Sequence, residues 1–186
     1  MVDLTFEEAI SKCVATIQCG GLIVIPTDSG TEIAVNPFCN GALTRLLALM
    51  PSGVPIRGTV MLADARDILT YVAAPPPDII AVVGSFATPT AVMFDGVLEL
   101  PGAIAHASGR TAFRVPKLLI CRALVKRLGH PLFSVPLVSG GLTNFEMAFN
   151  EESGNAYRVT NILVESLLPV EFVRVTDDGE VLNVMI

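Results

Sequence analysis

The apolar positions Ala9, Ile10, Cys13, Val14 and Ile17 recur at helical spacing. Thr5 with Glu8 three residues on has the form of a capping box, in which each side chain satisfies the other residue's free backbone N–H. Gly20-Gly21 supplies a stop, so the pattern predicts a helix over 6–19. An unbroken apolar run over 22–25, ended by Pro26, has the profile of a strand buried on both faces. A loop with Asp28, Ser29 and Gly30 follows, then a second strand over 33–35 closed by Asn36-Pro37. Asn40 is placed to cap a helix whose apolar face is Leu43, Leu46, Leu47 and Met50, terminated by Pro51-Ser52-Gly53. A strand over 59–62, a helix capped by Asp64 and running to about 72, and a rigid break at Pro75-Pro76-Pro77 complete the first half.

Beyond the prolines, Asp78 is positioned to cap a helix with Ile79, Ile80, Val82, Val83 and Phe86 as its buried set. Strands are predicted over 90–94 and 111–115, with a loop region between 96 and 109 that is extended at 97–100. Pro116 suits the first turn of a helix continuing over 118–128, with Lys126 and Arg127 near the end where the dipole favours cations. A short strand over 132–135 and two alternating runs around Asp178-Gly179, a hairpin signature, close the chain. Strands and helices alternate through most of the sequence, so the class is α/β with a mixed sheet.

At 186 residues the chain fits a single domain, and no internal repeat or linker breaks it. With 52% hydrophobic and 16% charged residues and a mean hydropathy of +0.62, intrinsic disorder is excluded. The longest stretch without a formal charge, 128–145, carries Gly129, Pro131, Pro136, Gly140 and Gly141, which a membrane-spanning helix avoids in such density. The first residues show neither a basic n-region nor an apolar h-region, and cytoplasm is the expected location. Cys13, Cys19, Cys39 and Cys121 show none of the spacings that hold zinc, and read as buried reduced thiols. His106 and His130, the only histidines, poorly supply a metal site or a serine–histidine triad.

The net charge of −6 averages over unlike segments. Residues 1–99 and 146–186 each carry −6, whereas 100–145 contains no Asp or Glu and six bases: Arg110, Arg114, Lys117, Arg122, Lys126 and Arg127. Such a block concentrates anions if its bases share a face, and is inert if each is paired with an acid from elsewhere. Four positions stand out chemically. Thr27, with Asp28 and Ser29, follows a buried strand directly, where hydroxyls and a carboxylate can receive an amino group or a phosphate, or simply form a polar turn. Arg114 lies within an apolar strand and must find a buried partner or face a cleft. Ser134 presents a hydroxyl in the strand after Gly129-His130-Pro131, for backbone or for ligand, and Gly140-Gly141 is a weak candidate phosphate cradle.

The order of these pieces resembles the YrdC/YciO family. Gly20-Gly21-Leu22-Ile23-Val24-Ile25-Pro26-Thr27-Asp28 is similar to its opening, and Arg57-Gly58-Thr59-Val60-Met61-Leu62 to a basic residue and the strand that follows. Pro89-Thr90-Ala91-Val92-Met93-Phe94 resembles its Pro-x-Thr strand, Phe113-Arg114-Val115-Pro116 its Arg-Val-Pro and Gly129-His130-Pro131-Leu132-Phe133-Ser134 its Pro-Leu-x-Ser, in sequence order over about 6–145. Departures accompany the likeness. Thr31 and Glu32 stand where an aromatic and a glycine are usual, Met50-Pro51-Ser52 replaces Lys-x-Arg, and Ser134-Val135-Pro136-Leu137-Val138 replaces Ser-x-Ser-Ala-Asn, which is closer to the YciO branch.

The resemblance implies a YrdC-like twisted mixed sheet flanked by helices, and formation of threonylcarbamoyl-AMP from threonine, bicarbonate and ATP for tRNA modification. ATP enters as its magnesium complex, a substrate, and no tightly bound cofactor is implied. Arg57 and Arg114 would hold carboxylate or phosphate from either side of one concavity, with Thr27 and Ser134 positioning the substrate. The other reading is a non-catalytic relative that binds nucleotide or double-stranded RNA on a concave basic surface, and a third is a small-molecule sensor. No membrane partner is expected.

Overall fold

The computed structural model describes residues 5–50, 57–137, 155–159 and 168–185. Its centre is a mixed nine-stranded sheet, in the order β7-β1-β2-β6-β3-β5-β4-β8-β9. The strands are β1 (Leu22–Thr27), β2 (Gly30–Val35), β3 (Thr59–Met61), β4 (Thr90–Phe94), β5 (Thr111–Arg114), β6 (Leu132–Pro136), β7 (Ala156–Arg158), β8 (Glu171–Val175) and β9 (Val181–Asn183). The helices are α1 (Phe6–Gln18), α2 (Asn40–Ala48), α3 (Ile68–Tyr71), α4 (Ile79–Ser85) and α5 (Leu119–Leu128). The α/β class with a mixed sheet is as expected. Among the described residues, no helix is long and apolar enough to cross a membrane.

Period-two alternation sorts the strand residues onto two faces. On one face, Ile23, Ile25, Ala34, Met61 and Leu132 pack against Ile10, Cys13 and Ile17 of α1 and Ile120, Cys121 and Leu124 of α5. On the other, Val24, Ile33, Val60, Phe113, Phe133 and Val135 form a larger core with α2, α3 and the start of α4. The capping box of α1 is present: Thr5 Oγ1 accepts the Glu8 N–H at 3.3 Å, and Glu8 accepts the Thr5 N–H at 2.8 Å. Bonds from the Thr5 backbone and hydroxyl hold the Glu8 carboxyl below its ordinary value.

Several boundaries move. Pro26 does not end β1; the strand runs on to Thr27, with Pro26 opposite Thr31. A proline is tolerated there because, among the described residues, the β7 ladder pairs β1 only as far as Val24, leaving no partner on that side for its missing N–H. The expected loop after it is only the turn between β1 and β2, and β2 begins at Gly30 rather than at residue 33. Asn40 is the first residue of α2 rather than its cap; Cys39 holds the cap position, and Asn36 instead accepts the Phe38 N–H at 2.9 Å. Pro116 precedes α5 instead of sitting in its first turn. In α4 only Ile79 is buried, because Ile80, Val83 and Phe86 line an open depression. Asp64 does cap its segment, which starts as a single 3₁₀ turn before α3. The hairpin around Asp178-Gly179 is the antiparallel pair β8 and β9. The Pro51-Ser52-Gly53 stop and the Gly140-Gly141 pair lie outside the described residues.

Candidate functional site

The β1–β2 turn brings polar groups beside the end of β5. Thr27, the last residue of β1, is fully buried, and Gly30 opposite it adopts a φ of +131°, a conformation that favours glycine. Arg114 closes β5 with a side chain only 1% exposed. Its guanidinium reaches three oxygen acceptors at once. Nε donates to Thr59 Oγ1 at 3.0 Å, Nη1 to Asp28 Oδ1 at 2.9 Å and Nη2 to Glu32 Oε1 at 2.5 Å. The buried partner that an arginine in an apolar strand demands is therefore a pair of carboxylates from the β1–β2 hairpin.

Hydroxyls complete the cluster. Ser29 Oγ donates to Glu32 Oε1 at 2.7 Å, and Thr27 Oγ1 lies 3.1 Å from that same oxygen and 2.9 Å from the Gly30 carbonyl. Ser134, paired in register with Thr59, places its hydroxyl 3.4 Å from Thr59 Oγ1. Asp28 turns its second oxygen outward and accepts the Lys117 N–H at 3.0 Å. Beneath the turn, the Cys121 thiol points at the Pro26 carbonyl, and burial pushes its pKa above the ordinary thiol range, so it is not a ready nucleophile.

Lys117 joins the cluster to a depression of about 350 Å³. Three cations, Arg66, Lys117 and Arg122, line it with Thr88, Thr90 and the apolar face of Phe86. Lys117 Nζ donates to the Ala87 carbonyl and Arg122 Nε to the Ala63 carbonyl, which fixes both side chains at the rim. The one acid in the lining, Asp64, accepts the Arg66 N–H as part of its own cap. The depression therefore carries positive charge beside a cluster that carries negative charge.

Three of the four residues that the resemblance assigns to substrate, Thr27, Arg114 and Ser134, meet in this cluster. Arg57 does not join them: it lines a separate depression of about 450 Å³ with residues around β8 and β9, Glu171, Phe172 and Asn183 among them. His106 sits near the start of β3, its Nε2 2.9 Å from the Gly58 carbonyl and its ring edge-on to Phe172. Among the described residues, no three His, Cys, Asp or Glu side chains group as a metal site. Sequence reasoning missed Thr59 and the role of Glu32. The signal for Glu32 was its phase: it shares the inward face of β2 with Ala34, so an acid there needs a buried cation as surely as Arg114 needs an anion.

A family model for Sua5, YciO and YrdC, described as "Telomere recombination", matches residues 15–152. The chain belongs to the Sua5/YciO/YrdC family. Among curated relatives it is similar to the uncharacterized protein YciO of Escherichia coli (strain K12), 26% identical over 138 residues that cover 73% of this chain and 66% of that protein. The match thus spans just under two thirds of the relative's length. The crystal structure of E. coli YciO superposes with a TM-score of 0.71 at 22% identity, over 94% of this chain and 89% of that one. P. abyssi Sua5 complexed with L-threonine superposes with a TM-score of 0.73 at 13% identity, over 94% of this chain and 52% of that one. At these identities the superpositions establish a shared fold.

Proposed function

We propose that this member of the family binds a small amino acid at the Arg114 cluster and activates it on ATP, in the manner of threonylcarbamoyl-AMP formation from threonine and bicarbonate. The observation that carries the reading is a buried set of carboxylates, guanidinium and hydroxyls held at the end of the β1–β2 hairpin. Its occurrence in the fold of a Sua5 crystallised with L-threonine supports an amino acid as ligand. The adjoining depression with Arg66, Lys117 and Arg122 supports ATP as the second substrate, entering as its magnesium complex, since phosphoryl chemistry depends mainly on positioned cations. The amine, once deprotonated, would capture bicarbonate as a carbamate with loss of water, and attack of that carbamate on the α-phosphate would release pyrophosphate.

Release of pyrophosphate from Mg·ATP, measured with and without threonine and bicarbonate, tests this. The expected result is release that needs both additions and falls in Ser134→Ala and Arg114→Ala, with circular dichroism confirming that the variants fold. Release independent of threonine, or none, overturns the enzyme reading. The basic depression favours one alternative, a relative that holds nucleotide without reacting it; ATP binding weakened by Arg66→Ala in the absence of any release would establish it.

A further inference from the structure

Glu32 is the residue of the cluster whose bonding is incomplete. It is 2% exposed, and its Oε1 is crowded by Arg114 Nη2 at 2.5 Å, Ser29 Oγ at 2.7 Å and Thr27 Oγ1 at 3.1 Å. Its Oε2 is buried and has no hydrogen-bond partner among the described residues. A buried carboxylate oxygen without a donor is costly, and native proteins keep few of them. The charges are equally unbalanced: Asp28 and Glu32 face one guanidinium, so the cluster holds an excess negative charge. Two cations of the adjoining depression are engaged elsewhere: Lys117 Nζ is bonded to the Ala87 carbonyl and Arg122 Nε to the Ala63 carbonyl. The side toward solvent is the hairpin turn, where Asp28, Ser29 and Gly30 are half-buried.

We propose that Glu32 Oε2 receives the ammonium group of a small amine-bearing ligand, and that Arg114 does not take a ligand's carboxylate or phosphate. The resemblance assigns Arg114 to an anion, but two internal carboxylates already occupy that guanidinium. The missing partner of the cluster is a cationic donor, and the Thr27 and Ser29 hydroxyls on the same carboxylate offer a short polar ligand further bonds. Glu32, standing where the family usually has a glycine, is the specificity-determining residue. This inference uses the site of the amino-acid reading above and names which end of the ligand enters it first.

Three ligands separate the two claims: L-threonine, L-threoninol, which keeps the amine without the carboxylate, and 2,3-dihydroxybutyrate, which keeps the carboxylate without the amine. Binding to the full chain is read by calorimetry and by thermal shift. Threoninol is expected to bind and dihydroxybutyrate not to. Glu32→Gln should weaken threoninol by about tenfold or more, the loss of one charge-assisted hydrogen bond. Glu32→Ala, by uncovering Arg114, should admit dihydroxybutyrate, and Glu32→Asp keeps the charge should either variant fail to fold. No binding of threoninol, equal binding in Glu32→Gln, or preference of the natural chain for dihydroxybutyrate each overturns the inference. Threoninol binding without threonine binding leaves the ammonium site standing and overturns the amino-acid reading instead.

Discussion

Arg114 couples folding to the site more tightly than any other side chain, because its removal strands two carboxylates in a place built around a cation. Arg114→Ala is expected to cost about 3–5 kcal/mol in urea denaturation, the range for breaking a buried ion pair by deleting one partner. Replacing Glu32 by Leu in that background should return part of the loss, since Asp28 retains the Lys117 N–H and some exposure. A double-mutant cycle with no coupling between positions 32 and 114 would contradict the direct contact. Gly58 is a steric counterpart. A Cβ there would fall 2.1 Å from Cζ of Phe133, a ring fixed in the core, so Gly58→Ala should destabilise by roughly 1–3 kcal/mol, as overpacking does. His106, bonded to the carbonyl of that glycine, adds a pH dependence. Burial lowers its pKa below the ordinary 6.5, with the Gly58 bond pulling weakly the other way. As pH falls through 6.5 the unfolded chain takes up this proton first, so the histidine's share of stability is intact above 6.5 and is lost below it. Urea midpoints measured across this range should fall on acidification, and less so in His106→Gln.

At the scale of elements, what could be read in advance is what neighbouring residues decide among themselves. The α1 capping box, the β8–β9 hairpin and the end of α5 all rest on contacts within a few positions. Gly129 terminates α5 with a φ of +74° and donates its N–H to the Val125 carbonyl, a left-handed close that costs other residues more. Gly129→Ala should lower stability by about 1 kcal/mol, visible as an earlier thermal midpoint with the fold intact. What could not be read was decided by distant partners. Pro26 is accommodated in β1 where β7, more than a hundred residues away in sequence, pairs among the described residues only as far as Val24. The half-exposed face of α4 is explained by the depression it borders, with Val115 and Lys117 on the far side. The site follows the same division: Thr27, Arg114 and Ser134 were recognisable singly, but the acid that answers Arg114 lies 82 positions away on β2. The burial argument made for Arg114 applied equally to Glu32, and pairing the two would have placed the cluster.

At the scale of the molecule, the basic block of 100–145 is dispersed by folding. Arg110 pairs with Asp95, Arg114 turns inward to Asp28 and Glu32, and Arg127 pairs with Glu7 of α1. Four acids from outside the block thus meet three of its six bases in space. The concentrated positive surface that remains among the described residues is the single depression of Arg66, Lys117 and Arg122, suited in size to a small anion rather than to two grooves of a duplex. Duplex RNA should therefore bind weakly and with a shallow salt dependence. If these three cations alone met phosphates, log K against log salt would have a slope of roughly −3. Titration of duplex RNA at low and moderate salt checks this. A much steeper slope would require a basic surface larger than this depression, and tight binding that survives Arg66→Ala and Lys117→Ala would place RNA elsewhere on the molecule.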